Sequence, residues 1–177
     1  LFPNGIVVGK NIDLIRYWYN RYGQKVVIVI PSYKDYKLIE QCLASIKKTV
    51  PKNKYKVIVV DDYCTEESKD ELSRFESSNV HVIFRKKNGG FAVAVNTGLK
   101  YAIKNHPSLD VVLLNSDTIA HNDWLAALQH GAYQHSNNVG IVGPKLLYKD
   151  GRIQSAGSFR NTESPEWFDH YYRFKPS

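Results

Sequence analysis

Short apolar runs alternate along the chain with segments whose apolar residues recur at helical spacing. The runs are predicted to be strands at Val26–Ile30, Val57–Val60, Val80–Phe84, Val111–Leu114 and Val139–Val142. The segments between them are predicted to be helices at 38–50, Glu66–Ser77, Phe91–Ile103 and Trp124–Tyr133. Strands that alternate with helices over such short distances indicate βαβ units. The sequence therefore predicts an α/β fold with a mostly parallel sheet flanked by helices.

The two ends of the chain depart from this alternation. Residues 1–25 are predicted to form a lead-in helix or linker, because their apolar residues are spaced for one face of a short helix. After the fifth predicted strand, Lys145–Tyr148 and Arg152–Ser155 flank Asp150 and Gly151, a favoured hairpin turn. We therefore expect the main domain at 26–157, with 158–177 as the truncated start of a further region.

Length and composition exclude several classes of protein. At 177 residues the chain is long enough for one domain with its own core. No apolar run approaches the ~18 residues that span a bilayer. Two cysteines do not make a disulfide framework, which favours a reducing, cytoplasmic compartment. The absence of methionine indicates a piece of a longer protein.

The formal charge of +7 is partly concentrated in two clusters, at Arg85–Lys87 and among the lysines between Lys47 and Lys56. A basic surface can meet nucleic acid, anionic lipid or phosphorylated ligands, or it can be a solvated rim. No helix-turn-helix, zinc-finger spacing or RNA-binding aromatic motif is present, so nucleic acid is not expected as a partner. The clusters predict phosphate ligands or peripheral contact with the inner face of a membrane.

Polar residues follow the fourth predicted strand directly, as Asn115, Ser116 and Asp117. In open α/β sheets, ligands bind outside the carboxyl ends of the strands. A carboxylate at that position can hold a divalent cation against a phosphate, because hard cations prefer oxygen ligands. The alternative is that Asp117 caps a helix or stabilises a turn.

The second predicted strand ends in two carboxylates, Asp61 and Asp62. Adjacent carboxylates repel each other, so the pair requires nearby donors or a ligand. One of them could accept the N3–H of uracil or thymine, or it could bind ribose hydroxyls. A dinucleotide site would also need Gly-x-Gly-x-x-Gly after the first strand, and no glycine occurs there.

The first predicted strand leads into Pro31, Ser32, Tyr33 and, two residues on, Asp35. Pro31 ends the strand, because it cannot donate to a ladder. Tyr33 is then expected at the carboxyl edge of the sheet, where its ring can cover a base or a sugar. The alternative is that Ser32 or Asp35 only caps the helix that follows.

Two glycines follow the third predicted strand, in Asn88-Gly89-Gly90. They allow the backbone to approach a ligand closely and they place N–H groups at the start of a helix. Gly98 lies inside that helix, where it costs roughly 1 kcal/mol relative to alanine. We favour a close contact between helix and sheet as the reason for Gly98.

These strand ends together resemble the family-2 glycosyltransferases, which have the Rossmann-like GT-A fold. The matching segments are 29–33 (Val-Ile-Pro-Ser-Tyr), 59–62 (Val-Val-Asp-Asp), 88–91 (Asn-Gly-Gly-Phe), 96–98 (Asn-Thr-Gly) and 113–118 (Leu-Leu-Asn-Ser-Asp-Thr). Segments 142–147 (Val-Gly-Pro-Lys-Leu-Leu) and 150–157 (Asp-Gly-Arg-Ile-Gln-Ser-Ala-Gly) look like the rhamnosyl- and galactofuranosyl-transferring members. The resemblance covers about residues 25–157.

The resemblance implies a nucleotide-sugar donor, a divalent cation (Mn or Mg) and a role for each matching residue. Asp62 is implied to recognise the pyrimidine of a UDP- or dTDP-sugar, and Asp117 to bind the metal. Asn115 and Ser116 are implied to lie beside the sugar and the ribose. The implied nucleotide-binding residues are Pro31, Ser32, Tyr33, Asp35, Asp62, Asn88, Gly90, Asn96, Asn115 and Ser116. Transfer to a polysaccharide, glycan or lipid-linked acceptor with inversion is implied as well.

The chain also departs from the family pattern in two places. Asn115 occupies the first place of the usual Asp-x-Asp, and an amide is a poorer metal ligand than a carboxylate. Inverting transfer needs a carboxylate that deprotonates the acceptor. The Gly-Phe-Asp-Glu-like stretch that precedes it in the family does not occur in 1–177, so the base is expected beyond Ser177.

Two other functions compete with this one. A sugar-nucleotide pyrophosphorylase would need a Gly-rich, basic phosphate loop after the first strand, where the chain has Pro31-Ser32-Tyr33. A non-catalytic module that binds nucleotide or glycan would need no base. An acidic motif downstream of Ser177 would favour the enzyme.

Overall fold

The computed structural model describes residues 23–133, 139–160, 168–170 and 172–176. They fall into two compact units, which divide between Leu125 and Ala126. The first unit is built on a parallel sheet, and the second contains two short antiparallel pairs. None of the helices in the described ranges is long and apolar enough to cross a bilayer.

The first unit alternates strands and helices as the sequence predicts. Its strands are β1 (Val26–Ser32), β2 (Tyr55–Asp61), β3 (Val80–Phe84) and β4 (Asp110–Leu113). Its helices are α1 (Tyr36–Thr49), α2 (Glu66–Ser73) and α3 (Phe91–Asn105), with a 3-10 turn at Lys52–Lys54. Helix α4 (Trp124–Tyr133) begins in this unit and ends in the next. The predicted α/β class with a parallel sheet between helices is confirmed.

The strand order is β3-β2-β1-β4, and all neighbours are parallel. Strand β1 is buried at every position, which suits a central strand whose two faces are both covered by helices. It continues through Pro31 to Ser32, whose carbonyl accepts the Asp62 N–H at 2.9 Å, so the strand end predicted at Pro31 is wrong. Ile39, Cys42 and Ile46 of α1 pack with Leu72 of α2 on one face of the sheet. Ala94 and Ala102 of α3 pack on the other face.

Helix α3 lies unusually close to the sheet. A Cβ added to Gly98 would lie 2.4 Å from Cγ1 of Val29 and 3.1 Å from Cγ2 of Val60. The distance to Val29 is too short for a methyl group and the distance to Val60 is tight, so glycine suits the crossing of α3 over β1 and β2. The expected helix–sheet contact at Gly98 is confirmed.

Helix α2 is shorter than predicted, because it ends at Ser73 and not at Ser77. Beyond it the backbone tightens, with the Phe75 N–H bonded to the Leu72 carbonyl at 3.0 Å. The Glu76 carboxylate then accepts the Val82 N–H of β3 at 2.7 Å. This bond to the edge strand takes the place of another helical turn.

The fifth strand predicted at Val139–Val142 is wrong. Residues 139–145 form no strand, and Ile141 is 94% exposed. Gly140 interrupts the apolar run, and glycine weakens strands. The Val142 side chain packs on α4 instead, where a Cβ at Gly131 would lie 3.3 Å from its Cγ1.

The hairpin predicted around Asp150 and Gly151 is confirmed. Strands β5 (Leu146–Leu147) and β6 (Ile153–Ser155) pair antiparallel, and Gly151 has the positive φ of +85° that the turn needs. A second antiparallel pair, β7 (Ser158–Arg160) with β8 (Phe168–His170), was not predicted from the sequence. The lead-in helix of residues 1–25 lies outside the described residues except at 23–25, which precede β1. The domain limits at 26–157 and 158–177 stay predictions.

Candidate functional site

A cleft of about 370 Å³ opens at the carboxyl ends of the parallel strands. Parallel strands bring all their carboxyl ends to one edge, so residues that are far apart in sequence meet there. The lining residues are Pro31, Ser32, Tyr33, Asp35, Leu38, Asp62, Asn88, Gly90, Phe91, Ala94, Asn115, Ser116 and Asp117. Every predicted site residue is among them except Asn96, which is exposed on α3.

The end of β1 offers the cleft a hydroxyl, a carboxylate and an aromatic ring. The Ser32 hydroxyl is buried and has no hydrogen-bond partner among the described residues. The ring of Tyr33 is 44% exposed, with the ammonium of Lys34 5.3 Å from its centroid. Asp35 is the N-cap residue of α1, but its side chain makes no capping bond. Helix capping therefore accounts for neither Ser32 nor Asp35.

The Asp62 side chain is fixed at the site by several polar contacts. The residue is only 4% exposed. The Gly90 N–H donates to Oδ2 at 2.7 Å, the Gly89 N–H donates to the same carboxylate at 3.2 Å, and Arg85 forms an ion pair with it. These donors satisfy a buried charge that would otherwise be strongly destabilising. Asp62 thus fixes the glycine loop while it also lines the cleft.

Both glycines of this loop are required by its geometry. Gly90 has φ +77° and is the N-cap of α3. A Cβ at Gly89 would lie 2.8 Å from the Cβ of Val93 and 2.9 Å from the guanidinium of Arg85. Asn88 supports the turn, since its side-chain oxygen accepts the Gly90 N–H at 3.0 Å. The loop brings the N-terminus of α3 to the cleft, where the helix dipole favours an anion.

Helix α1 anchors the loop that follows β4. The Cys42 thiol lies 3.8 Å from the Asn115 carbonyl, and the Ser45 hydroxyl accepts the Ala120 N–H at 2.9 Å. Burial, with the nearby Asp117 carboxylate, raises the pKa of Cys42 to about 12, so this thiol stays protonated. The two contacts bracket Asp117 and leave its carboxylate exposed at the cleft.

The residues around Asp117 fit a cation only as a minimal protein site. Among the described residues no three His, Cys, Asp or Glu side chains converge closely enough to hold a metal. Asp62 is committed to N–H donors and to Arg85, so Asp117 is the better carboxylate ligand. Mg²⁺ commonly takes one or two protein carboxylates, with waters and substrate phosphates in the other places. These ligands suit a cation that binds together with a diphosphate.

Sequence reasoning missed three residues that shape this site. Phe91 is 62% exposed and places a second aromatic ring at the cleft. The Arg85 pair with Asp62 could have been found from register, because Asp61 aligns with Phe84 and their successors therefore face each other. The Ser45 bond to Ala120 spans 75 positions, and no local pattern signals it.

Comparisons with known proteins agree with this geometry. A model described as Glycosyl transferase family 2 matches residues 27–174. The poly(ribitol-phosphate) beta-glucosyltransferase of Bacillus spizizenii is 32% identical over 142 residues, which cover 78% of this chain and 22% of that protein. The dTDP-rhamnosyl transferase RfbF of Shigella flexneri is 29% identical over 94 residues, which cover 53% of this chain and 30% of that protein. The chain thus spans about a fifth to a third of the length of these relatives.

Two solved structures share the fold at 22% sequence identity. The mannosyltransferase PcManGT from Pyrobaculum calidifontis, in complex with GDP-Man and Mn²⁺, has a TM-score of 0.54 and covers 72% of this chain and 41% of its own. S. aureus TarS 1-349, in complex with UDP-GlcNAc, has a TM-score of 0.52 and covers 70% of this chain and 40% of its own. The relatives include both a glucosyl and a rhamnosyl transferase, so they single out no subset of the family. The chain belongs to glycosyl transferase family 2.

Proposed function

We propose that the cleft binds a nucleoside-diphosphate sugar and that the intact protein transfers this sugar to a glycan or lipid-linked acceptor. One observation carries the proposal. The cleft at the strand ends is lined by a buried hydroxyl with no hydrogen-bond partner in the described part of the chain (Ser32), two exposed rings (Tyr33 and Phe91) and an exposed carboxylate (Asp117). Rings suit the base and sugar, and the hydroxyl and carboxylate suit the polar parts of a donor. Anomeric inversion is expected from the family resemblance.

The residues of this chain bind and orient the donor. The N-terminus of α3 opens on the cleft at Phe91, where its dipole favours the diphosphate, whereas the Gly90 N–H is already bonded to Asp62. Tyr33 and Phe91 cover apolar faces of the ligand and exclude water from it. Ser32 supplies a hydrogen bond to whichever polar group reaches it. The base that activates the acceptor stays a prediction, beyond Ser177.

Asp117 would hold the divalent cation, with Ser116 beside it. The cation supplies Lewis-acid chemistry, neutralising charge on the diphosphate that leaves. PcManGT was solved with Mn²⁺, and this supports the same kind of cofactor here. Asn115 cannot replace a second carboxylate, so we expect the protein to bind the metal weakly unless a diphosphate is present.

We propose a pyrimidine base for the donor, recognised by Asp62. The Asp62 carboxylate lines the cleft, and its remaining acceptor capacity suits the N3–H of uracil or thymine. TarS was solved with UDP-GlcNAc, which supports uracil, whereas PcManGT was solved with a guanine nucleotide. The rhamnosyl- or galactofuranosyl-transferring subset stays a prediction, based on the segments 142–147 and 150–157.

We propose an anionic or lipid-linked acceptor, met at the cytoplasmic face of a membrane. The relative from Bacillus spizizenii is named for poly(ribitol-phosphate), a polymer that carries one negative charge in each phosphodiester. A chain with a formal charge of +7 is electrostatically matched to such an acceptor.

Calorimetry with UDP, TDP, GDP and ADP tests the donor assignment on this chain. We expect UDP and TDP to bind and ADP to bind far more weakly. Asp62→Asn keeps the acceptor oxygen for the glycine loop but removes the acceptor for N3–H, so it should weaken UDP binding by ~1.5–3 kcal/mol. Asp61→Asn is the matched control, because Asp61 does not line the cleft. Equal affinity for adenine and uracil nucleotides would contradict the role of Asp62, and no binding of any diphosphate would contradict the proposed function.

A further inference from the structure

Seven lysines lie together at the amino ends of the strands, on the side of the first unit opposite the cleft. We call this surface the lysine face; it comprises Lys25, Lys47, Lys48, Lys52, Lys54, Lys56 and Lys104. Lys25 directly precedes β1, and Lys54 and Lys56 flank the first residue of β2, which pairs with the first residue of β1. Helices α1 and α3 run antiparallel to the strands of βαβ units, so their last turns bring Lys47, Lys48 and Lys104 to the same edge.

The positive charge of the lysine face is not neutralised within the described residues. None of the seven ammonium groups lies within ion-pair distance of a described carboxylate. Lys54 and Lys56 donate to the backbone carbonyls of Gly23 and Ser78, which fixes them without cancelling their charge. Asp110, at the start of β4, places a carboxylate at this edge.

The positive charge of the lysine face affects the pKa of His106, which follows the last turn of α3. Burial, together with the charges of Lys56 and Lys25, lowers the pKa of the His106 imidazole. Burial is the larger cause, and the part that Lys56 and Lys25 contribute reflects a local excess of positive charge.

Helix stabilisation explains part of the lysine face only. Cations at the C-terminus of a helix interact favourably with its dipole, and this accounts for Lys47, Lys48 and Lys104. Lys25, Lys54 and Lys56 belong to strand ends or to the 3-10 turn, and Lys52 opens that turn, so no helix dipole accounts for these four. Their clustering beside the other three requires another reason.

We propose that the lysine face binds the surface of an anionic lipid bilayer, an inference that rests on the proposed function for its acceptor. The face uses lysine throughout, whereas arginine is the residue suited to fixed, bidentate phosphate sites. Lysines act as mobile point charges, which suits a fluid plane of headgroups. Ile103, beside Lys104 and 65% exposed, adds an apolar side chain that can enter the headgroup region.

This placement turns the cleft away from the membrane. Strand β1 has seven residues, so the two edges of the sheet are separated by about 23 Å. A bilayer on the lysine face therefore leaves the donor cleft on the distal side. The acceptor group that reaches the cleft must then be the outer end of an extended chain, and not a sugar next to its lipid.

Sedimentation of this chain with vesicles of phosphatidylglycerol and phosphatidylcholine tests the proposal. Binding is expected at low salt, with loss at high salt because exposed charges are screened. Lys47→Gln/Lys48→Gln/Lys52→Gln should bind about 100-fold more weakly, since each lysine near an anionic surface contributes about fivefold. Lys37→Gln/Lys86→Gln/Lys87→Gln removes the same charge from exposed residues on the cleft side, and it should bind nearly as well as the unchanged chain.

Each outcome of this experiment has a defined meaning. No pelleting at low salt, or equal losses in both triple variants, would overturn the proposal. Binding to soluble polyphosphate without binding to vesicles would overturn it in favour of a free polyanion. UDP calorimetry on the same samples separates the two claims: vesicle binding without UDP binding would contradict the proposed function and leave the lysine face intact.

The orientation has its own test, which uses the two cysteines. Cys42 is buried, whereas Cys64 lies on the cleft side and can carry a fluorophore. A second sample carries the fluorophore at Asn53→Cys in a Cys64→Ser background, next to the lysine face. Spin-labelled lipid should quench the fluorophore at position 53 strongly and the one at Cys64 weakly. The reverse order would overturn the assignment.

Discussion

At the scale of single residues, Asp61 and Asp62 show how neighbouring carboxylates diverge in role. Successive side chains of a strand point to opposite faces of the sheet. Asp62 therefore reaches the glycine loop and the cleft, while Asp61 is buried near α2 at 1% exposure. The sequence predicted a need for donors near this pair, and the structure supplies them to Asp62. The sequence could not show that Asp61 is supplied less well than Asp62, because that depends on where the Ser68 hydroxyl points.

Asp61→Asn is expected to stabilise the fold at neutral pH. Burial raises the pKa of the Asp61 carboxyl, and the Ser68 hydroxyl and the Tyr63 N–H offset this only in part. Neither Asp61 oxygen has a hydrogen bond of good geometry among the described residues, since the Ser68 hydroxyl donates to the Thr65 carbonyl at 3.0 Å. Because the pKa of Asp61 is raised in the folded state, its contribution to stability is fully present below the ordinary pKa of aspartate, where the carboxyl is protonated. That stability is lost as the pH rises through the raised value. Removing the charge should gain about 1 kcal/mol at pH 7.

Thermal unfolding of both proteins at several pH values measures this effect. The gain in melting temperature from Asp61→Asn should be largest at pH 7 and should vanish below about pH 3, where Asp61 is mostly protonated in both folded and unfolded chains. If Asp61→Asn and the unchanged chain lose the same amount of stability between low pH and pH 7, the charge of Asp61 is not the cause of that loss.

Gly98→Ala is expected to destabilise the fold by ~1–3 kcal/mol. The added methyl would overlap Val29, and overpacking of this kind outweighs the ~1 kcal/mol that alanine gains in helix propensity. Asn96→Ala is the matched control on the exposed side of α3, and it should be neutral or slightly stabilising. Denaturant unfolding measures both variants. Equal stabilisation of the two would mean that α3 can move away from the sheet.

At the scale of elements, α1 supports the candidate site, although few of its residues line the cleft. Through Cys42 and Ser45 it holds both ends of the segment that contains Asp117. Removing the Ser45 hydroxyl leaves the Ala120 N–H without its acceptor, which costs about 1–3 kcal/mol.

Ser45→Ala should therefore weaken the metal-dependent part of UDP binding through Asp117, while metal-free binding changes less. Thr97→Ala is the control, because the Thr97 hydroxyl donates only within its own helix, to Val93 at 2.8 Å. Calorimetry with and without Mn²⁺ distinguishes the two variants. A loss of the same size in both states would mean that Ser45 serves general stability and not the position of Asp117.

An element could be predicted from the sequence when the residues that determine it lie close together in the chain. Strands β1 and β2 were predictable because both are largely buried and each contains an unbroken apolar run, Val26–Ile30 in β1 and Val57–Val60 in β2. The hairpin was predictable from the Asp150-Gly151 turn alone. The strand expected at Val139–Val142 failed because an apolar run does not show whether a partner strand is present. The β7–β8 pairing has no periodic signal, and its partners are about ten residues apart.

At the scale of the whole molecule, the two edges of the parallel sheet carry different chemistry. The carboxyl edge gathers hydroxyl, carboxylate and aromatic groups around the cleft, and the amino edge gathers lysines. The first arrangement was predictable, because chain order in βαβ units places every strand end on the same edge. The second was predictable in part, because the lysines between Lys47 and Lys56 are close in sequence, whereas Lys25 and Lys104 join them only once the fold is known.

The most direct test of the account is the coupling between Mn²⁺ and UDP at Asp117. Isothermal calorimetry should show that Mn²⁺ strengthens UDP binding to the unchanged chain by about 10- to 100-fold, corresponding to a charged interaction of ~1.5–3 kcal/mol. Asp117→Asn should abolish this gain without loss of folding, whereas Asp70→Asn, on the exposed side of α2, should preserve it. If Mn²⁺ leaves the UDP affinity of the unchanged chain the same, or if Asp117→Asn retains the full gain, the cleft is not a metal-assisted diphosphate site and the central claim is contradicted.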